Sequence, residues 1–199
     1  FVSNPERIGV FGGTFDSIHN AHLAIARAAL DQAKLDRILF VVSARPPHKG
    51  AGPLASPEDR FAMVEAALRD APRFEPSRVE VDRSGPSYMA DTLDEVALQH
   101  PDSKLFLIVG YDSLIDLPNW RAPERIMGHA HLLVLPRPGD MNRTPAALQG
   151  HYDMLQFEMT SLSSTVVRER IARGESIDNL VPQPVAALIK AKGLYHDNP

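Results

Sequence analysis

The chain alternates short apolar runs with longer stretches in which apolar residues recur every three or four positions. The first run, residues 7–11 (RIGVF), is rich in β-favouring residues and stops at Gly12-Gly13, which predicts a buried strand closing in a tight turn. Residues 22–34 (HLAIARAALDQAK) then set Leu23, Ile25, Ala26, Ala29 and Leu30 at helical spacing, and residues 37–42 read as a second strand. Strand, glycine turn, helix and strand make a βαβ unit, whose crossover is right-handed and whose strands are parallel. Further along, Ser56-Pro57-Glu58-Asp59 has the order of an N-cap, a first-turn proline and first-turn acids, opening a helix through residue 69. Strands are expected at 79–81, 104–109, 131–135 and 154–159. Helices are expected at 88–99, 164–173 and 184–192, the last two stopped by Gly174 and Gly193.

This alternation predicts an α/β fold, an open parallel sheet with helices on both faces and a small C-terminal helical segment. A chain of 199 residues suits a single domain, with its core at about 5–160 and its helical part at about 161–199. Ligands of such sheets bind at the carboxyl ends of the strands, where the strand order reverses.

Composition narrows the chemistry. With 21 Lys+Arg against 25 Asp+Glu the net charge is −4, which argues against a nucleic-acid partner. The absence of cysteine excludes disulfides, thiolate metal sites and a thiol nucleophile. No apolar run approaches the ~20 residues a bilayer requires, and FVSNPERI lacks a signal core, so no membrane partner and a cytoplasmic location are expected. A homo-oligomer is compatible with this composition. The 17 prolines exceed the roughly ten that average usage would supply. They are expected in loops or at helix starts, Pro46, Pro47, Pro53 and Pro76 among them, as stiffening of a ligand rim. The 137–153 stretch is the one segment expected to be disordered.

Two segments carry chemistry. In the first, GVFGGTFDSIHNAHL (9–23), a diglycine lets backbone approach a ligand and a helix N-terminus supplies amides and positive potential for phosphate. His19 and His22, three apart, can turn both rings to one anion. The second, SLSSTVVR (161–168), caps a helix with hydroxyls and places Arg168 one turn inside it. Neither GxGxxG nor a P-loop is present, which disfavours a redox enzyme using NAD. His129 and His131 alternate at a strand start, but two ligands do not make a metal site, and no metal-binding residue is expected.

Together the two segments resemble the signatures of the HxGH nucleotidyltransferase superfamily, a GGTFDPxHxGH-like turn and an SSTxxR-like helix start. Within it the chain is similar, over nearly all its length, to the bacterial nicotinate-nucleotide adenylyltransferases. Supporting pieces are Pro46-Pro47-His48-Lys49, Gly85-Pro86-Ser87-Tyr88, Asp91-Thr92-Leu93, Val109-Gly110-Tyr111-Asp112-Ser113, Trp120, Arg137-Pro138-Gly139 and Leu180-Val181-Pro182. The chain departs from the family pattern at Ser17, Ala21 and Met89.

The resemblance implies a Rossmann-like sheet and adenylyl transfer from ATP to nicotinate mononucleotide, giving deamido-NAD and pyrophosphate in NAD biosynthesis. It implies Mg²⁺ carried with ATP, without a dedicated protein site. His19, His22 and Arg168 take the catalytic roles. Gly12, Gly13, Thr14, Gly110, Asp112, Ser163, Ser164 and Thr165 would bind ATP. Asp16, His48, Lys49, Ser87, Tyr88, Met89 and Trp120 would bind the mononucleotide, the indole stacking on the pyridinium ring and the amides at 87–89 meeting its carboxylate. On this reading His19, His22, His48, Lys49 and Arg168 form a local basic cluster inside an acidic chain. The alternatives are a sister adenylyl- or cytidylyltransferase with another phosphorylated acceptor, and a non-catalytic nucleotide-binding protein.

Overall fold

The computed structural model describes residues 4–47, 53–139 and 143–196. Among the described residues six strands, β1 (Arg7–Gly13), β2 (Arg37–Val42), β3 (Phe74–Ser77), β4 (Lys104–Gly110), β5 (Ala130–Leu135) and β6 (Tyr152–Met154), form one sheet in the order β3-β2-β1-β4-β5-β6. The helices are α1 (Asn20–Gln32), α2 (Pro57–Leu68), α3 (Met89–Gln99), α4 (Tyr111–Asp116), α5 (Pro123–His129), α6 (Ser164–Ala172) and α7 (Gln183–Lys192). The order reverses between β1 and β4, which pair in parallel with Ile8 opposite Leu105 and Val10 opposite Leu107. The predicted α/β class and parallel sheet are therefore the observed ones, and Gly12 and Gly110 stand at the carboxyl ends of the two strands flanking the reversal.

The chain divides into two compact units. The first comprises Phe1–Gly12, Ile25–Leu39 and Tyr88–Met159. It buries Ile8, Val10, Ala26, Leu93, Leu107, Leu114, Ile126 and Leu132 at 2% exposure or less. Here α3 packs on α5, and Arg125 pairs with Asp91 and Asp94 across the contact. The second comprises Gly13–Ala24, Phe40–Ser87 and Thr160–Pro199, with Ile18, Phe40, Val42, Met63, Val64, Val167 and Val185 fully buried. In it α2 packs on α7, and Lys192 pairs with Asp59.

Local signals set most boundaries. Ser56 caps α2, its hydroxyl accepting from Asp59 N at 3.1 Å, with Pro57 in the first turn. Helices α6 and α7 end before Gly174 and Gly193 at φ +70° and +60°. Four expectations are corrected. The strand expected at 79–81 is β3 at Phe74–Ser77, while Val79–Val81 lies in a turn closed by Asp82 N donating to Arg78 O at 2.9 Å. Pro76 therefore sits in a strand rather than a loop, tolerated because β3 is an edge strand whose ladder does not need every N–H. The last strand is the three-residue β6, upstream of the 154–159 expected, because its pairing with β5 (Leu132 opposite Tyr152) fixes it. In the stretch expected to be disordered, Leu148 is 1% exposed and Arg143 N donates to Tyr111 Oη at 3.0 Å; only residues 140–142 lie outside the described segments. No helix among the described residues is long and apolar enough to cross a membrane.

Candidate functional site

In the second unit the turn after β1 is built on one aromatic ring. A Cβ on Gly13 would stand 2.9 Å from Phe15 Cζ, so only glycine lets the chain fold back over that ring. Phe15, at φ +48° and 2% exposure, packs edge-on against His22 with centroids 5.0 Å apart and against Phe40 at 5.7 Å. On this support the His19 and His22 rings stack, centroids 3.7 Å apart and planes 23° from parallel. The backbone N–H of His19 donates to His22 Nδ1 at 3.2 Å, which leaves the proton of a neutral His22 on Nε2. His19 is 5% exposed, and its Nδ1 has no hydrogen-bond partner among the described residues.

Burial lowers the His19 pKa from 6.5 to about 4, and burial together with the neighbouring His19 lowers that of His22 to about 3. Both rings are neutral at pH 7. This corrects the basic cluster read from the sequence: the two histidine rings carry N–H groups but no standing positive charge.

The start of α6 docks on the same turn. Ser163 is the N-cap, accepting from Val166 N at 3.3 Å, and Ser164 Oγ donates to Ser17 O at 2.8 Å. The Arg168 guanidinium donates to Asp16 O and, at 3.3 Å, to Thr165 Oγ1. The structure thus brings together Gly13, Thr14, Asp16, His19, His22, Ser163, Ser164, Thr165 and Arg168. Asp16, however, turns its carboxylate into the protein, where it accepts from Leu54 N at 2.7 Å, Ala55 N at 3.2 Å and Tyr195 Oη at 2.6 Å, and it is 6% exposed. These three donors anchor the turn to the segment before α2 and to Tyr195. Ser87 is also engaged within this unit, its hydroxyl accepting from Arg45 N at 3.2 Å and its N–H donating to Arg45 O at 3.0 Å. Of the three amides expected to meet a carboxylate, that of Ser87 is therefore taken. His48 and Lys49 lie outside the described residues.

The first unit holds the remaining expected residues. Met89 opens α3 and lays its Cε 2.8 Å from where a Cβ on Gly12 would stand. Tyr88 is the N-cap without a side-chain capping bond, which leaves the first-turn amides of α3 without that partner. The Arg121 guanidinium lies 4.6 Å over the Tyr88 ring, joining this helix start to the Trp120 segment. Trp120 is half-buried and donates Nε1–H to Asp116 Oδ2 at 3.2 Å. Gly110 caps α4 with open space at its Cα, and Asp112 is ion-paired with Arg137, whose guanidinium lies 5.9 Å over the Tyr111 ring.

Sequence reasoning missed Phe15, Tyr195 and Arg60. The signal for Arg60 was its place in α2 three and four residues before Met63 and Val64, on the apolar stripe of that helix.

A family model described as cytidylyltransferase-like matches residues 10–170. Among curated relatives, a probable nicotinate-nucleotide adenylyltransferase of Thermus thermophilus is 42% identical over 190 residues, covering 95% of this chain and 99% of its own. That of Geobacillus thermodenitrificans is 37% identical over 191 residues, covering 95% and 86%. Among solved structures, Plasmodium falciparum nicotinic acid mononucleotide adenylyltransferase complexed with NaAD superposes with TM-score 0.77 over 97% of this chain and 98% of its own, at 17% identity, which speaks for the fold. With a histidine turn and a hydroxyl-capped arginine helix in place, and curated relatives matched almost end to end, the chain belongs to the cytidylyltransferase-like family and, within it, to the nicotinate-nucleotide adenylyltransferases.

Proposed function

We propose that the protein transfers the adenylyl group of ATP to nicotinate mononucleotide, giving deamido-NAD and pyrophosphate. The observation that carries this reading is the neutral, stacked His19–His22 pair on a turn to which the Arg168 helix is docked. The acceptor phosphate monoester has a second pKa near 6 and is already nucleophilic at neutral pH. One of its oxygens attacks the α-phosphorus in line. The bond from that phosphorus to the bridging oxygen breaks, and pyrophosphate leaves with the electron pair. Neither a general base nor a covalent residue is required; alignment and charge neutralisation are.

His19 and His22 donate to the ATP phosphates, the backbone at Gly13 and Thr14 cradles them, and Ser163, Ser164, Thr165 and Arg168 hold the tail. Each fixed donor of this kind contributes about 3 kcal/mol in the transition state. Among the described residues no three His, Asp or Glu side chains are placed to hold a metal, and the Asp16 carboxylate is already engaged by three donors. Mg²⁺ is taken to arrive on the triphosphate, where it would screen phosphate charge. Gly110 and Asp112 suit the ribose, His48 and Lys49 the acceptor phosphate, and Trp120 the pyridinium ring.

Incubation with ATP, Mg²⁺ and nicotinate mononucleotide should release pyrophosphate and form deamido-NAD. Tight ATP binding without release would overturn the reading in favour of a nucleotide-binding protein, and release only with another phosphorylated acceptor would favour a sister enzyme. Trp120→Ala should raise KM for the mononucleotide about tenfold, in line with loss of roughly 1–2 kcal/mol of stacking, and leave KM for ATP within twofold. Equal increases for both substrates would assign Trp120 to packing of its loop.

A further inference from the structure

Arg60 is 0% exposed, at the centre of the second unit. A buried guanidinium usually meets a carboxylate; this one is bonded to four backbone carbonyls. Nε donates to Ala55 O at 3.1 Å, Nη1 to Thr14 O at 2.8 Å and Ser43 O at 2.6 Å, and Nη2 to Ala44 O at 3.2 Å. Those oxygens come from three separate pieces of chain. Thr14 belongs to the turn after β1. Ser43 and Ala44 follow β2 and lead into Pro46-Pro47, and Ala55 precedes the α2 cap while its own N–H holds Asp16 Oδ1. The same strand end is tied to the turn by Ser43 N donating to Gly13 O at 2.8 Å.

We infer that Arg60 is a positioning residue for adenylyl transfer, fixing the phosphate-binding turn and the post-β2 loop against each other by holding their carbonyls on one guanidinium. The inference rests on the proposed function, in that the turn is taken to receive ATP phosphates. The physical reason is the rigidity of the peptide plane. A trans peptide sends its C=O and the following N–H in opposite directions, so a carbonyl drawn to Arg60 turns the next amide away from it. The Ala44–Arg45 peptide shows this: Ala44 O faces Arg60, and Arg45 N donates to Ser87 Oγ. Orientation of the Thr14 peptide by the same device aims the backbone of the turn. The planar fork of arginine suits four carbonyls at fixed angles, whereas the three donors of a lysine ammonium radiate from one atom. Burial lowers the Arg60 pKa, with the Asp16 charge opposing that shift, so the cation is retained beneath the turn without a bonded carboxylate.

The test uses the full chain with Arg60→Lys and Arg60→Gln. Folded fraction is followed by circular dichroism, and kcat, both KM values and ATP affinity are measured well below the melting midpoint. The expected result is a folded Arg60→Lys protein whose kcat falls at least tenfold and whose Kd for ATP rises severalfold, with a larger loss for Arg60→Gln. Arg60→Ala should regain several-fold activity with millimolar methylguanidinium but not with equal methylammonium. Folded variants with kcat and ATP affinity within twofold of wild type would overturn the inference. Failure of all three variants to fold would do so as well, by assigning Arg60 to folding. Wild-type protein that binds ATP without releasing pyrophosphate from the mononucleotide would instead fail the proposed function, and the ATP affinities would still decide the effect of Arg60 on the turn.

Discussion

His19→Ala is expected to lower kcat by about 10²–10³-fold, the range for loss of one fixed donor to developing transition-state charge, while stability hardly changes. The unusual half is the second. Removing a buried ring ordinarily destabilises, but His19 keeps Nδ1 without a partner among the described residues, so the folded protein already bears the desolvation of that atom. Its main packing partner, the His22 ring, stays in place because it is held by the edge of Phe15 and by the backbone N–H of residue 19, which alanine retains. Steady-state turnover beside a thermal melt checks both halves. Turnover near wild type would remove His19 from the mechanism, and collapse of the melt would make it structural. The pH profile adds a third reading. Because the free rings titrate near 4 and 3, kcat/KM for wild type should show no limb from a histidine of ordinary pKa near 6.5. An acid limb near 6 should come from the acceptor phosphate and survive in His19→Ala. The sign for stability follows the same pKa values. Below about 6.5 the unfolded chain binds protons that the folded rings refuse, so stability falls on acidification from there towards pH 4.

Arg168→Lys should lower kcat/KM for ATP by about 10²-fold, close to 2.7 kcal/mol, although the charge is conserved. The guanidinium donates at once to Asp16 O and Thr165 Oγ1, and a phosphate oxygen adds a third direction that a single ammonium cannot match. Arg173, the C-cap of the same helix, is 60% exposed in its side chain and paired with Glu169 and Glu175. Arg173→Lys should leave kcat/KM unchanged, since exposed pairs are worth little. Equal losses in the two variants would point to general helix electrostatics rather than to the fork of Arg168.

The fold was legible where a local rule acts alone. The diglycine after a buried strand, Ser56 ahead of Pro57, and glycines closing α6 and α7 each set φ/ψ or a cap through neighbouring atoms, and those elements stand within two or three residues of their expected limits. It was illegible where partners lie far along the chain. Helices α4 and α5, six and seven residues long, are too short to display a periodic stripe and do not emerge from the sequence pattern. Strand β6 exists because β5 offers it a ladder, and β3 takes Pro76 because it lies at an edge. In the site, residue types were legible and their states were not.

By itself the sequence determined which groups are present: two histidines three apart behind Gly12-Gly13, hydroxyls and Arg168 at a helix start, and no thiol. Tertiary structure alone decided what those groups are. Desolvation by the surrounding fold makes His19 and His22 neutral, three donors from distant segments close off the Asp16 carboxylate, and four carbonyls make a buried anchor of an ordinary-looking Arg60. The physical reason is range. Backbone preference and capping act over a few residues, whereas dielectric, hydrogen-bond saturation and burial are set by whatever the rest of the chain brings within a few ångströms.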